Sequence, residues 1–268
     1  MTWQADDRVR GWIAALEARH LADLTFPEVS RALRALSSAY VERRTKLSEG
    51  AALSGAGKRA AFALFYAPLH FLLVHQVVSA LGEPFTTVDT LLDLGCGTGA
   101  SGAGWAMACT DAPRVTGIDR HPWAIDEARR TFADLDLRAS VRVDDLTRVA
   151  TDGRRLAPGT RAAPHPPGRL RAGVLLAFAV NEVADAAARD ALLARLLAHA
   201  DAGGRVIVVE PLARFVAPWW GSWQEAFERS GGQAREWRFR TPLPPVVAKL
   251  DRAAGLDHRE ITGRSLSI

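Results

Sequence analysis

The feature that most constrains the fold is a glycine-rich turn that directly follows a short apolar run. The run Val88–Leu94 first alternates and then becomes apolar, as a buried parallel strand does. Glycines at positions 95, 97 and 99 allow backbone angles closed to other residues and let the main chain approach a ligand closely. A helix is predicted to begin near Ala100, so backbone N–H groups and a helix N-terminus face that ligand. Strand, turn and helix in this order predict a nucleotide-binding α/β fold.

An acidic residue before the turn separates two interpretations of the glycines. Their spacing also fits the loose G-x-G-x-x-G/A fingerprint of nicotinamide dinucleotide folds, so it leaves two cofactors open. Asp93 would repel a phosphate, whereas it suits a cationic or hydroxyl-rich ligand. The Asp-x-Gly-x-Gly-x-Gly pattern resembles the first motif of class I S-adenosylmethionine-dependent methyltransferases. The resemblance implies S-adenosylmethionine as cofactor, with contacts from Asp93, Gly95, Cys96 and Gly97.

Acidic residues at two later strand ends extend this resemblance. Asp119 ends the predicted second strand, about 20 residues beyond the turn, where a carboxylate hydrogen-bonds both ribose hydroxyls. In the family the next residue, here Arg120, lies along the adenosine. After the third strand the family uses an acid for the adenine amino group and the following backbone N–H for a ring nitrogen. Asp145 followed by Leu146 is the better match for that pair, and Asp144 is the alternative.

The predicted fourth strand, residues 174–180, leads to the candidate groups for chemistry. Ligands of open α/β sheets bind at the carboxyl ends of strands, so Asn181 and Glu182 are expected near the methyl group. Ala179 is expected to contact the cofactor. The alternative is that Asn181 or Glu182 only caps the next helix, predicted at 184–200. No prolines follow Asn181 and no cysteine is placed to attack a pyrimidine ring, which disfavours two classes of nucleic-acid methylation.

The chain is predicted to divide into a helical cap, residues 1–82, and a methyltransferase domain, residues 83–268. Further apolar segments complete a doubly wound, seven-stranded, mostly parallel sheet of the Rossmann-like class I type. The segment 151–173 is rich in proline, glycine and arginine and is predicted to be a long flexible loop.

The last helix of the predicted cap carries a polar stripe. Residues 58–81 form a strongly apolar run in which Pro68 is expected to cause a kink or a break. Arg59, Tyr66 and His70 follow at offsets of seven and four, which places them on one helical face. His70 is therefore a candidate base for the acceptor, and the alternative is a polar edge on a core helix.

A cluster of three tryptophans lies within residues 218–223. Aromatic faces stack on planar ligands, so the cluster is a candidate surface for an aromatic or base substrate. We favour the simpler interpretation, in which the rings pack a helix onto the sheet.

Charge and cysteine usage limit the partners. The formal net charge is +4, and the basic excess lies in residues 31–59 and 151–173, which are either RNA-facing surfaces or solvated segments. The chain has 2 cysteines, too few for a disulfide framework or a metal set, so a cytoplasmic protein without metal is expected. No segment reaches about 18 uninterrupted apolar residues, so no membrane contact is expected.

Short phrases point to a second, fainter resemblance. Four short segments resemble segments of a methyltransferase-like family of the small ribosomal subunit: Leu24–Glu28, Ser38–Arg44, Asn181–Val183 and Val209–Pro211. The cysteines that bind a metal cluster in that family are missing here. The main hypothesis is in-line methyl transfer from S-adenosylmethionine to a small-molecule or RNA acceptor. The alternative is a non-catalytic ribosome or RNA assembly factor that keeps the methyltransferase fold.

Overall fold

The computed structural model describes residues 3–42, 53–151, 171–213 and 217–268. Within these ranges the core is a seven-stranded sheet with the strand order β3-β2-β1-β4-β5-β7-β6. Only β7 of this sheet runs antiparallel to its neighbours. The strands are β1 Thr90–Leu94, β2 Arg114–Asp119, β3 Ala139–Val143, β4 Ala172–Ala177, β5 Arg205–Glu210, β6 Gln233–Phe239 and β7 Ile261–Ser267. The predicted fold class is confirmed.

Helices cover both faces of the sheet. They are α1 Asp7–His20, α2 Phe26–Glu42, α3 Ala56–Ala61, α4 Ala67–Leu81, α5 Ala100–Ala108, α6 Pro122–Asp134, α7 Ala186–Asp201, α8 Trp220–Arg229 and α9 Pro245–Ala254. Neighbouring residues of β1 point to opposite sides, so Leu91 belongs to the hydrophobic cluster that contains residues of α1–α6 and α9, whereas Leu92 belongs to the cluster that contains residues of α7 and α8. The central strands β1, β2, β4 and β5 are therefore buried on both faces, which explains their largely apolar sequences.

Side chains near the helix starts satisfy backbone groups that have no partner within the helix. The Asp6 carboxylate accepts from the Arg8 N–H at the start of α1, and Glu28 accepts from the Thr25 N–H at the start of α2. Asp185 accepts from the N–H groups of Ala187 and Ala188 at the start of α7. Asp185 is the cap of α7, so the alternative that Asn181 or Glu182 caps this helix is wrong.

One long helix, Ala56–Leu81, is made of α3, a π-helical turn and α4. The π-helical turn, Phe62–Tyr66, directly precedes the prolyl segment of α4. Pro68 has no N–H for the carbonyl of Leu64, so the regular hydrogen-bond ladder is interrupted where the sequence predicts a break. Among the described helices this one is long and apolar enough to cross a membrane by length and composition, and 72% of the apolar window is buried inside the fold.

The N-terminal helices share a hydrophobic core with the sheet. Trp12 of α1, Leu33 of α2 and Phe71 of α4 belong to the same buried cluster as Leu91 and Val115 of the strands. The domain boundary at residue 82 stays a prediction. Most of the predicted loop 151–173 lies outside the described residues.

The tryptophan cluster packs inside the protein. Trp219, Trp220 and Trp223 are 8%, 7% and 1% exposed and contact the apolar residues beneath α7 and α8. The rings therefore hold α8 on the sheet, as the favoured interpretation predicts.

Candidate cofactor and acceptor site

The glycine turn lies at the carboxyl ends of three parallel strands. β1 is paired with β2 on one side and β4 on the other, so their ends meet at one edge of the sheet, called here the ligand edge. Gly95 has φ +72°, and a Cβ there would lie 2.5 Å from the Cβ of Ala179. The N–H groups of Gly95 and Cys96 both donate to the Ile118 carbonyl, at 2.8 and 2.9 Å. The turn is thus fixed between β2 and the residues that follow β4.

Asp119 holds the exposed side of this turn. Its Oδ2 accepts from the Gly97 N–H at 2.9 Å and its Oδ1 accepts from the His121 N–H at 2.8 Å. Gly97 has φ +52°, and no atom lies within 4 Å of the place where a Cβ would stand. Each carboxylate oxygen has a second lone pair, so Asp119 can accept from the two hydroxyls of a ribose beside that open space. The residues present therefore fit the sugar of S-adenosylmethionine.

Asp93 lies beneath the turn. The residue is 0% exposed, and its Oδ2 accepts from the Gly102 N–H in the first turn of α5 at 3.0 Å. Burial raises the pKa of Asp93 to about 7, with a further contribution from the Asp119 carboxylate. Its Oδ1 has no hydrogen-bond partner among the described residues. A direct contact of Asp93 with a ligand stays a prediction, and the geometry gives this carboxyl group a position under the turn backbone.

Cys96 also points beneath the turn. The side chain is buried, and its Sγ lies 3.0 Å from the place where a Cβ on Gly117 of β2 would stand. Burial raises the pKa of the Cys96 thiol well above its usual range. A neutral thiol in this position packs the turn onto β2.

The residues after β3 form the side of the site expected to receive adenine. Asp144 accepts from the Asp145 N–H at 2.8 Å, and Asp145 accepts from the N–H and hydroxyl of Thr147 at 2.8 and 2.7 Å. Burial opposes ionisation of Asp145, but its bonds to Thr147 outweigh this effect and lower its pKa. Leu146 is 6% exposed and lies 3.3 Å from the place where a Cβ on Gly95 would stand. Leu146 therefore packs against the turn, and the contact of Asp145 and Leu146 with adenine stays a prediction.

Arg120 and Glu182 form an ion pair across the ligand edge. Their side chains are 53% and 66% exposed, and 3.9 Å separates Arg120 Nη2 from Glu182 Oε2. Arg120 follows β2 and Glu182 follows β4, the two strands that flank β1, so the pair crosses above the carboxyl end of β1. Neighbouring protein atoms remove part of the hydration of the Glu182 carboxylate, and this loss raises its pKa. The negative charge of Asp119 raises the pKa further, whereas the positive charge of Arg120 lowers it.

Asn181 is engaged by its neighbours. Its Nδ2 donates to Glu210 Oε2 at 2.7 Å, and its Oδ1 accepts from Trp219 Nε1 at 2.8 Å. These bonds connect the segment after β4 with the end of β5 and the start of α8. Asn181 therefore supports the site beside Glu182, and its predicted role near the methyl group stays a prediction.

The end of β4 differs from the predicted one. The strand ends at Ala177 rather than at residue 180, because Phe178 adopts φ +60° and the chain then forms a 3-10 turn, Val180–Glu182. His70 of α4 stacks on Phe178 with 4.0 Å between ring centroids and 20° between ring planes. Burial lowers the pKa of His70 to about 3. Its imidazole is therefore neutral and weakly basic, which favours Glu182 over His70 as a base.

The first half of the long helix covers the ligand edge. The Arg59 guanidinium lies 5.6 Å from the ring centroid of Trp123, at the start of α6, and His70 lies against Phe178. Tyr66 and His70 come together as predicted, with 6.1 Å between their centroids. The helix thus extends from the side of Asp119 to the end of β4.

In the described part of the chain, no group of three or more His, Cys, Asp or Glu side chains is placed to hold a metal ion.

Comparisons with known proteins give one family-model match and several structural resemblances. Residues 91–156 match a family model described as a methyltransferase domain. No curated protein sequence matches the chain. Solved structures that resemble it include the mitomycin 7-O-methyltransferase MmcR, with 15% identity over 98% of this chain and 73% of that chain and a TM-score of 0.47. The O-methyltransferase NcsB1 from neocarzinostatin biosynthesis has 18% identity over 98% and 74%, with a TM-score of 0.46. A tRNA (uracil-54, C5)-methyltransferase from Pyrococcus abyssi has 14% identity over 74% and 37%, with a TM-score of 0.42.

Proposed function

We propose that the chain, whose residues 91–156 match a methyltransferase-domain model and whose sheet has the seven-stranded order described above, is a class I S-adenosylmethionine-dependent methyltransferase. It methylates an oxygen or nitrogen nucleophile presented at the end of β4. The acceptor belongs to a small molecule or to RNA. S-adenosylmethionine supplies an electrophilic methyl group on a sulfonium. The chain itself positions both partners and excludes water, which is the main contribution a protein makes to an in-line displacement.

The arrangement of Asp119 is the single observation that carries the proposal. Its carboxylate joins the Gly97 N–H to the His121 N–H, and it faces the open space above Gly97. Asp119 would hold the ribose hydroxyls, Asp145 and Leu146 would hold the adenine, and the backbone of Gly95 and Gly97 would lie along the rest of the cofactor.

Glu182 is the group best placed to take a proton from the acceptor. It follows β4, it is accessible, and its pKa is raised, which makes its carboxylate a stronger base than an ordinary one. Arg120 keeps Glu182 above the turn, so the base lies on the side where the acceptor must enter. The acceptor needs this base only if it carries a proton at the working pH.

Incubation with methyl-labelled S-adenosylmethionine and fractionated lysate tests the proposal. Label is expected in either the RNA or the metabolite fraction, and Glu182→Gln is expected to lower the rate at least about tenfold with unchanged cofactor affinity. Glu225→Gln on the exposed face of α8 is the matched control and should keep the full rate. A protein that binds S-adenosylhomocysteine but labels no fraction would contradict the transfer and support the non-catalytic assembly role.

A further inference from the structure

We propose that Phe62, Tyr66, His70 and Phe178 form a platform that receives the flat ring of an aromatic or heteroaromatic acceptor. The inference rests on the proposed methyl transfer and names the class of its substrate. The shared chemistry is a planar unsaturated ring, which is found in a phenolic small molecule and in an RNA base.

The four rings lie beside the expected position of the methyl group. A short connection, residues 82–89, leads from the end of α4 to the amino end of β1, so the N-terminal part of α4, with His70, lies towards the opposite, ligand edge. Phe178 is the first residue after β4, and the next residue, Ala179, packs against Gly95 of the turn. The rings therefore lie on the same side of the ligand edge as Glu182, which also follows β4.

Two uncommon backbone conformations meet at this place. The π-helical turn Phe62–Tyr66 inserts an additional residue into the helix, and such turns occur frequently at functional sites. Phe178 is an aromatic residue with φ +60°, a conformation that costs free energy unless the surroundings enforce it. The π-helical turn and the positive φ of Phe178 lie where aromatic side chains from two distant parts of the chain meet.

The ring geometry is that of a stacking surface. The centroids of Phe62 and Tyr66 are 5.8 Å apart, those of Phe62 and His70 are 6.0 Å apart at an interplanar angle of 84°, and His70 is parallel to Phe178 at 4.0 Å. All four side chains are partly buried, so each keeps some accessible surface. Edge and face contacts of this kind are the ones that aromatic rings prefer.

The platform is uncharged. Burial lowers the pKa of His70 to about 3 and raises the pKa of Tyr66 to about 12, so both are neutral at physiological pH. A charged aliphatic acceptor would lose its hydration here without an ionic partner from these rings, whereas a neutral planar ring gains stacking contacts. The composition of the surface therefore favours an aromatic acceptor over a charged aliphatic one.

Binding measurements on protein loaded with S-adenosylhomocysteine test the platform. The probes are 2-naphthol, followed by saturation-transfer NMR, and a single-stranded RNA decamer, followed by fluorescence anisotropy. Phe62→Leu and Phe178→Leu each keep an apolar side chain but remove a ring face, and Phe239→Leu in β6 is the control. The affinity of the probe that binds should fall at least tenfold in both platform variants, while the S-adenosylhomocysteine affinity stays within twofold.

The outcomes distinguish a small-molecule acceptor from an RNA acceptor, and failure of the platform from failure of the proposed methyl transfer. Binding of 2-naphthol identifies a small-molecule ring, and binding of the decamer identifies an RNA base. Equal probe affinity in the wild type and in a folded platform variant, or no binding of either probe to the loaded wild type, overturns the platform. Failure of the wild type to bind S-adenosylhomocysteine instead refutes the proposed function.

Discussion

The buried carboxyl group of Asp93 gives the protein a pH-dependent stability that can be calculated from the structure. Asp93 is 0% exposed, and burial raises its pKa from 3.8 to about 7. The folded state therefore binds this proton more tightly than the unfolded chain does. Stability from this group is complete below pH 3.8 and is lost as the pH rises towards 7, since the unfolded chain binds fewer protons in that interval.

The size of the effect follows from the same two values. A pKa difference of about three, at about 1.4 kcal/mol per pH unit, corresponds to about 4 kcal/mol between pH 4 and pH 8. Asp93→Asn keeps the shape and removes the titration, so its stability should lack this contribution to the pH dependence. The amide itself adds an offset that does not vary with pH.

Urea denaturation at half-unit steps from pH 4 to pH 8 measures this difference. The free energy of unfolding of the wild type, minus that of Asp93→Asn, should decrease by about 4 kcal/mol across the series. Asp126→Asn on the exposed face of α6 is the control and should keep the slope of the wild type. Parallel curves for the wild type and Asp93→Asn would refute the reasoning.

Two further predictions concern the contacts between the N-terminal helices and the sheet domain. Glu127 is 0% exposed and pairs with Arg19 and His20 of α1, each at 3.1 Å. Glu127→Ala leaves these partners without their carboxylate, so it should lower the free energy of unfolding by about 3–5 kcal/mol in urea denaturation. A decrease below about 1 kcal/mol would contradict this prediction. A Cβ on Gly104 would lie 2.6 Å from the Phe71 carbonyl oxygen, so Gly104→Ala should lower stability by about 1–3 kcal/mol by the same assay. Gly11→Ala, in open space on α1, is the control and should not destabilise the protein.

The sequence predicts the sheet well because its strands carry strong local signals. Leu91 and Leu92 belong to an apolar run that ends in glycines, and this pattern identifies β1 and its turn without tertiary information. Asp119 is likewise predicted from its place at a strand end about 20 residues beyond the turn, and the structure puts its carboxylate against the Gly97 N–H. The cap of α7 does not follow from residue type, since Asn181, Glu182 and Asp185 are all suitable types and only the backbone geometry selects Asp185.

The acceptor side depends on contacts between distant segments, which a single sequence does not reveal. Phe178 continues an apolar run, so nothing in its type indicates that β4 ends before it. His70 has the chemistry of a base, but its pKa depends on burial against a residue more than a hundred positions away. Glu127 has the type of an exposed helix residue, and only the docking of α1 buries it. Tertiary context overrides residue type at these positions.

Isothermal titration with S-adenosylhomocysteine tests the central claim most directly. The wild type should bind one equivalent, and Asp119→Ala should weaken binding at least about tenfold, because it removes the acceptor for the ribose hydroxyls and the bonds that hold Gly97 and His121. Asp126→Ala, which removes an exposed carboxylate of α6, should bind like the wild type. Equal affinity of the wild type and a folded Asp119→Ala variant, or no binding by the wild type, would contradict the account.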